Sequence, residues 1–152
     1  MKWFSDLGHK VTGIDRSPEA LSEAAAYGAV VLADIENGPW PLIKEQETQQ
    51  FQALVVTNYL WRPLFPLMAN CLAPGGFLIY ETFSCGNETV GKPSRPDFLL
   101  QTGELLTSFP GLRTIAFEEG FLSDPPRFVQ RIVAQRPHLL ETPAQAPAIY
   151  RL

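Results

Sequence analysis

The sequence predicts an α/β fold with a mostly parallel sheet that closes in an antiparallel hairpin, and three observations predict it. Strand-like and helix-like runs alternate from Lys10 to Phe83, the order that βαβ crossovers produce. Two successive strand-like runs end in an acid, Asp15 and Asp34, at the carboxyl edge where open α/β sheets hold their ligands. The last two strand-like runs are linked only by Ser-Asp-Pro-Pro, residues 123–126, which is too short for a parallel crossover and forces a hairpin.

Taken in order, Lys2 to Leu7 carries Trp3, Phe4 and Leu7 at helical spacing and stops at Gly8, so the chain opens on the end of a helix. That beginning suggests a reading frame that starts upstream, with a natively short form as the rival explanation. Lys10 to Asp15 is a short strand. Ser17 then serves as an N-cap with Pro18 at the first helical position, where its missing N–H costs nothing, and the helix runs to Tyr27 before Gly28. Ala29 to Asp34 repeats the pattern of a β-branched run ending in an acid. Asn37-Gly38-Pro39 has turn chemistry, and the polar stretch after it has no clean period, so a loop with a short helix is expected there. Ala53 to Leu60 is nearly all apolar, as in a central parallel strand covered on both faces. From Arg62-Pro63 a helix places Leu64, Leu67, Met68, Cys71 and Leu72 on one stripe. Ala-Pro-Gly-Gly, residues 73–76, turns the chain into the strand Gly76 to Phe83. A loop of roughly fifteen residues, Ser84 to Phe98, follows, and loops of that length are commonly functional, which makes it the expected substrate lid. A helix from Thr102 to Phe109 and the hairpin strands 112–121 and 127–136 complete one domain, residues 1–136. The proline-rich segment 137–152 is expected to be a loosely held tail.

The 152 residues suit a single domain that needs no disulfides, and 45% hydrophobic with 18% charged residues is a globular balance. A net charge of -4 with scattered lysines and arginines argues against a nucleic-acid surface. Cys71 and Cys85 stand apart from each other and from histidine, so no metal site is indicated and reduced thiols are expected. No run approaches the ~18 apolar residues of a membrane span, and Met1 to Lys10 lacks the apolar core of a signal peptide. A soluble cytoplasmic protein is the expectation.

A strand-terminal acid is often only a turn acceptor or helix cap. Two of them at successive strand ends, spaced by a capped helix, favour a ligand. Tyr59 and Trp61 suit a pocket or the core better than catalysis, and Glu81 faces either the substrate or a structural partner. His9 lies in a turn and His138 in the tail, and neither is expected to be catalytic. Arg127, Gln130 and Arg131 are expected to edge the sheet.

The strand and helix order resembles the class I S-adenosylmethionine-dependent methyltransferases, and the motifs carry the likeness further. VTGIDRSPEAL (11–21) is similar to that family's second-strand motif, VLADIENGPWPL (31–42) to the segment after its third strand, and FQALVVTNYLW (51–61) with LAPGGFLIYETF (72–83) to its fourth and fifth strands. The nearest flavour is the small bacterial tellurite-resistance-type methyltransferases. The resemblance implies a Rossmann-like methyltransferase fold, S-adenosylmethionine as cofactor and a small-molecule substrate. By resemblance Asp15 accepts hydrogen bonds from the ribose diol, with Arg16 and Ser17 shaping that wall, and Asp34 and Ile35 meet the adenine. Asn58 and Tyr59 line the methyl-transfer side, and no residue is identified as a catalytic base.

The family's first strand and glycine-rich turn, which belong before Gly8, are not in the sequence, so it is expected to be an N-terminally truncated form. That strand would lie between Lys10 to Asp15 and Ala53 to Leu60, and without it two sheet edges are expected to be unpaired, which makes a homo-oligomer plausible. Two other readings are a non-catalytic or defective homologue acting through protein association and a nicotinamide-binding domain. The latter shares the ribose acid but is weakened by the Pro-Gly-Gly turn and the terminal hairpin.

Overall fold

The computed structural model describes residues 1–44 and 47–138. The chain divides into two compact units that meet in sequence between Glu47 and Thr48. The segment expected as a tail lies outside the described residues beyond His138.

The first unit opens with α1 (Lys2–Asp6), then β1 (Thr12–Asp15), α2 (Pro18–Ala24), a 3-10 turn at Ala25–Tyr27 and β2 (Ala29–Leu32). Strands β1 and β2 run parallel, in register from Thr12 opposite Ala29 to Asp15 opposite Leu32, so this is one βαβ crossover with Leu21 of α2 buried. The helix begins where the sequence indicates, because Ser17 Oγ accepts the Ala20 N–H at 3.2 Å and Pro18 occupies the first turn. Gly28 ends the 3-10 turn that follows it by necessity: a Cβ there would lie 2.3 Å from the Val11 carbonyl oxygen. The second strand stops at Leu32, two residues before the acid at which the sequence would end it, because Asp34 turns the chain back on itself. The segment after that turn holds no helix among the described residues; it carries the two-residue strands β3 (Ile43–Lys44) and β4 (Glu47–Thr48), paired with each other.

The second unit is a four-stranded sheet in the order β5-β6-β8-β7, formed by β5 (Phe51–Thr57), β6 (Leu72–Phe83), β7 (Arg113–Ser123) and β8 (Pro126–Gln135). Strand β5 is parallel to β6, while β8 is antiparallel to both β6 and β7. The hairpin therefore lies at one side of the sheet as the short link requires, with β7 on the outside. A 3-10 turn (Arg62–Leu64) leads into α3 (Phe65–Asn70), and α4 (Glu104–Ser108) precedes the hairpin.

Strand β6 starts earlier than expected, running through the Pro-Gly-Gly that the sequence presents as a turn. Gly75 has φ +80° and exchanges its backbone with β8 through Gly75 N–H to the Arg136 carbonyl at 2.9 Å. A Cβ on Gly76 would fall 2.8 Å from the Phe51 carbonyl oxygen, so the strand passes β5 only as glycine.

The core of this unit sits on the helix side of the sheet. Leu78, Tyr80 and Thr82 alternate inward along β6 and are buried with Phe65 and Met68 of α3 and with Leu105 and Phe109 around α4. Phe65, Tyr80 and Phe109 form a ring cluster with centroids 5.0 to 6.2 Å apart, the separations that offset and edge-on aromatic pairs prefer. Two polar side chains complete the packing. Buried Gln130 accepts the Leu105 N–H and donates to the Gln101 carbonyl and to Glu119, while Glu119 accepts the Gly103 N–H. Together these strand side chains satisfy amide groups at the start of α4 that the helix itself leaves open.

The expectation of a central strand covered on both faces fails for β5. It pairs with β6 alone among the described residues, and Val55 is 43% exposed. On the same face, Phe77 and Ile79 of β6 are also exposed. The apolar run fits a strand buried on both sides, but among the described residues of this unit the helices pack on one face of the sheet.

Candidate functional site

Each sequence-designated residue is best described within its own unit. Asp15 ends β1 and is exposed. Its Oδ1 accepts the Ser17 N–H at 2.8 Å, and its Oδ2 takes no hydrogen bond from a described residue. The carboxylate is thus fixed in orientation by one oxygen and open at the other, which leaves acceptor capacity for a hydroxyl donor. Ser17 is half-buried, its hydroxyl donating to Glu19 and accepting the Ala20 N–H at the helix cap, so it supports this turn, and Arg16 is exposed beside it.

Asp34 realises the turn chemistry that is the plain alternative for such an acid. Its Oδ1 accepts the N–H groups of Glu36 and Asn37 at 3.0 and 3.2 Å, and its Oδ2 accepts Asn37 Nδ2 at 3.0 Å. The hydrogen bond from the Asn37 side chain, then those from the two amides, hold the Asp34 carboxyl below the usual carboxylate range, with Arg16 adding a smaller pull in the same direction. The turn has a second consequence. The Ile35 amide, lifted out of the ladder, donates no hydrogen bond to a described residue, and it sits on the half-buried residue beside the acid. A backbone donor next to a carboxylate acceptor matches the edge of an aminopurine, which offers one donor and one acceptor side by side.

In the second unit, Asn58 leaves β5 in the left-handed region at φ +54°, a conformation asparagine tolerates better than most side chains. Its N–H donates to the Glu81 carbonyl at 2.9 Å, and its exposed amide side chain makes no hydrogen bond with a described residue. The Tyr59 carbonyl accepts Tyr80 Oη at 2.8 Å from below. Burial, and then Tyr59 nearby, push the Tyr80 phenol well up, so this hydroxyl is a permanent donor. Trp61 is half-buried.

Glu81 is ion-paired with arginines of β8. Arg131 Nε donates to Glu81 Oε2, Arg127 stands 3.8 Å from Oε1, and Arg131 also reaches Glu118 at 3.3 Å. Glu81, Glu118 and Arg131 line an open depression of about 380 Å³ together with Ile79, Ala116 and Val133 among others. Arg127 and Arg131, expected to edge the sheet, lie instead on β8, an interior strand between β6 and β7, where with Val129 and Val133 they occupy alternate positions on one face.

Sequence reading misses Arg62 and Glu104. They form a two-point ion pair, Nε to Oε1 at 2.6 Å and Nη2 to Oε2 at 2.9 Å, and Arg62 also donates to the Asp97 and Leu99 carbonyls, both at 3.0 Å. The expected lid is correspondingly tied down. Asn87 near its start is buried, donating to the Pro93 carbonyl and accepting the Phe128 N–H, and its end is bridged to the sheet through Leu100. No group of three or more metal-capable side chains occurs among the described residues, and no described helix is long and apolar enough to cross a membrane.

The chain matches no protein-family model and no curated protein by sequence. Solved structures do resemble it. TehB from Haemophilus influenzae is 16% identical with a TM-score of 0.65, over 88% of this chain and 52% of that one. The N-methyltransferase NodS from Bradyrhizobium japonicum WM9 is 17% identical with a TM-score of 0.61, over 85% of this chain and 74% of that one. A second NodS structure contains S-adenosyl-L-homocysteine. The [4+2]-cyclase SpnF is 13% identical with a TM-score of 0.57, over 85% of this chain and 66% of that one. The chain thus has the Rossmann-like fold of the S-adenosylmethionine-dependent methyltransferases, TehB of the tellurite-resistance type among them. It spans about half the length of TehB.

Proposed function

We propose that the chain is an S-adenosylmethionine-dependent methyltransferase domain, cytoplasmic, acting on a small molecule. The observation that carries the reading is the first unit's strand-end chemistry within this fold: Asp15 with one carboxylate oxygen open, and the Ile35 N–H open beside Asp34. Support also comes from the likeness to NodS, a methyltransferase seen with S-adenosyl-L-homocysteine. The two free thiols are in keeping with a reducing compartment.

In this reading the cofactor supplies an electrophilic methyl group. The Asp15 carboxylate takes the ribose hydroxyls, the Asp15 to Ser17 turn fixes that carboxylate, and the Ile35 amide with the remaining acceptor capacity of Asp34 orients the adenine. Asn58 and Tyr59 are assigned to the methyl-transfer side by resemblance alone; within its own unit Asn58 is held in a left-handed turn with its amide side chain exposed. These groups act by positioning and by excluding water, which is sufficient for a displacement whose nucleophile arrives deprotonated. Glu81 is neutralised by its arginines and is not assigned as a base.

The test is calorimetric titration of the folded chain with S-adenosyl-L-homocysteine. Saturable binding that is weakened at least tenfold in Asp15→Ala supports the reading, and no heat with a folded sample defeats it. A parallel titration with NAD tests the nicotinamide alternative.

A second reading, a non-catalytic homologue acting through protein association, is favoured by the exposed apolar face at Val55, Phe77 and Ile79 and by the open strand edges, which would equally serve a homo-oligomer. Likeness to SpnF, a cyclase, supports keeping it, since this fold does not fix one chemistry. Concentration-dependent sedimentation without nucleoside binding would favour it.

A further inference from the structure

We infer that Arg62 is a positioning residue for Asn58 and Tyr59, and that it makes the long loop Ser84 to Phe98 a fixed wall rather than a lid. The turn from Asn58 to Trp61 is anchored at its start by Asn58 N–H to the Glu81 carbonyl and in its middle by Tyr80 Oη to the Tyr59 carbonyl. Its far end is anchored by Arg62, whose guanidinium makes all its contacts with one segment. Both oxygens of Glu104 and the carbonyls of Asp97 and Leu99 receive its hydrogen bonds within 3.0 Å.

Only a planar fork with several donors in one plane makes this pattern; a lysine ammonium satisfies one or two of the four acceptors. Glu104 is also spoken for on the other side, since its Oε2 accepts the Gln101 N–H at 2.8 Å. The ion pair is only partly exposed, with the Glu104 side chain at 18%, which sets it apart from surface pairs that contribute little. Because the acceptors lie at the end of the loop and the start of α4, one side chain couples the turn that presents Asn58 to the wall opposite. The loop's other end is held independently by Asn87 and by the Leu100 bridge to Phe83 and Cys85. Both ends are therefore fixed.

The coupling itself needs no ligand; its consequence for nucleoside affinity rests on the methyltransferase reading. The experiment is residue-resolved hydrogen exchange on the full chain, comparing the native protein with Arg62→Lys and Glu104→Gln, each followed by titration with S-adenosyl-L-homocysteine. In the native protein the Leu99 and Gln101 amides should exchange as slowly as those of the sheet, with or without the nucleoside. In both variants exchange should rise at least tenfold at Leu99 and Gln101 and, together with them, at Asn58 and Leu64, while the β7 to β8 ladder is unchanged. Glu104→Gln, which leaves the two carbonyl contacts, should show the smaller effect. Acceleration confined to Leu99 and Gln101, with Asn58 unmoved, would reduce Arg62 to a local brace and overturn the inference. Fast exchange across the native loop that the nucleoside suppresses would overturn it as well. If the native chain binds no nucleoside, the functional reading fails while the exchange pattern still decides this one. If it binds, Arg62→Lys should weaken binding about tenfold.

Discussion

Tyr80→Phe isolates a single hydrogen bond in the middle of the second unit's core, and its effect can be worked out from the structure. The ring is 1% exposed and packs against Phe65 and Phe109, contacts that phenylalanine keeps. What disappears is the 2.8 Å bond to the Tyr59 carbonyl. A hydroxyl-to-carbonyl bond contributes about 1 kcal/mol net, and a carbonyl left dry costs up to about 3 kcal/mol more. Tyr59 is half-buried, so water reaches part of that site and the cost should sit near about 1.5 kcal/mol. Phe109→Ala, which removes a ring touching both neighbours, should cost about 3 to 5 kcal/mol by comparison. Equilibrium urea unfolding measures both, with unchanged slope showing that only stability moved. A Tyr80→Phe effect below about 0.5 kcal/mol would refute the assignment of Tyr80 as the support beneath the Asn58 turn.

Three further outcomes are expected. At position 58, Asn58→Gly should leave stability within about 0.5 kcal/mol because glycine enters the left-handed region freely, whereas the β-branched Asn58→Val should destabilise by about 1 to 3 kcal/mol, both read by thermal unfolding. Acid should weaken the Arg62 clamp: burial alone would raise the Glu104 pKa, but the Arg62 hydrogen bond, the Gln101 amide and the Arg62 charge together hold it below 4.5. Its stabilisation is therefore complete above that value and lost as pH falls through the lower folded value, so Glu104→Gln should flatten stability against pH only below about 4.5 in a pH series of urea unfolding. Asp34→Ala should open the Asp34 to Asn37 turn and lower stability, again by urea unfolding.

The elements were legible where local chemistry sets them. Ser17 and Pro18 fix the start of α2, Gly28 the end of the 3-10 turn that follows it, and the short link after Ser123 the hairpin, because each acts on its immediate neighbours. The DIEN order after β2 similarly contains the Asp34 turn, whose bonds span two or three residues. The anchors of the loop expected as a lid escape sequence reading because they are distant along the chain: Arg62 meets Asp97, and Asn87 meets Phe128, across some 35 and 41 residues. Hydrophobic period carries no trace of such pairs. The same limit applies to β5, whose run of apolar residues records a strand suited to burial but not which of its faces is covered. Glu81 illustrates a third kind of limit. Its place at a strand end left a substrate and a structural partner both open, while the arginines that pair with it come from β8, and the strand periodicity of β8 aligns them without saying which strand lies alongside.

The most direct measurement is the set of amide chemical shifts of the isotopically labelled chain as S-adenosyl-L-homocysteine is added. The account predicts saturable shifts at Asp15 to Ser17 and at Ile35, abolished together in Asp15→Ala while the rest of the spectrum stays that of the folded protein. Shifts gathered instead around Ile79, Glu81 and Val133, or a folded spectrum that does not change up to millimolar nucleoside, the weak end of the affinity scale, would contradict it.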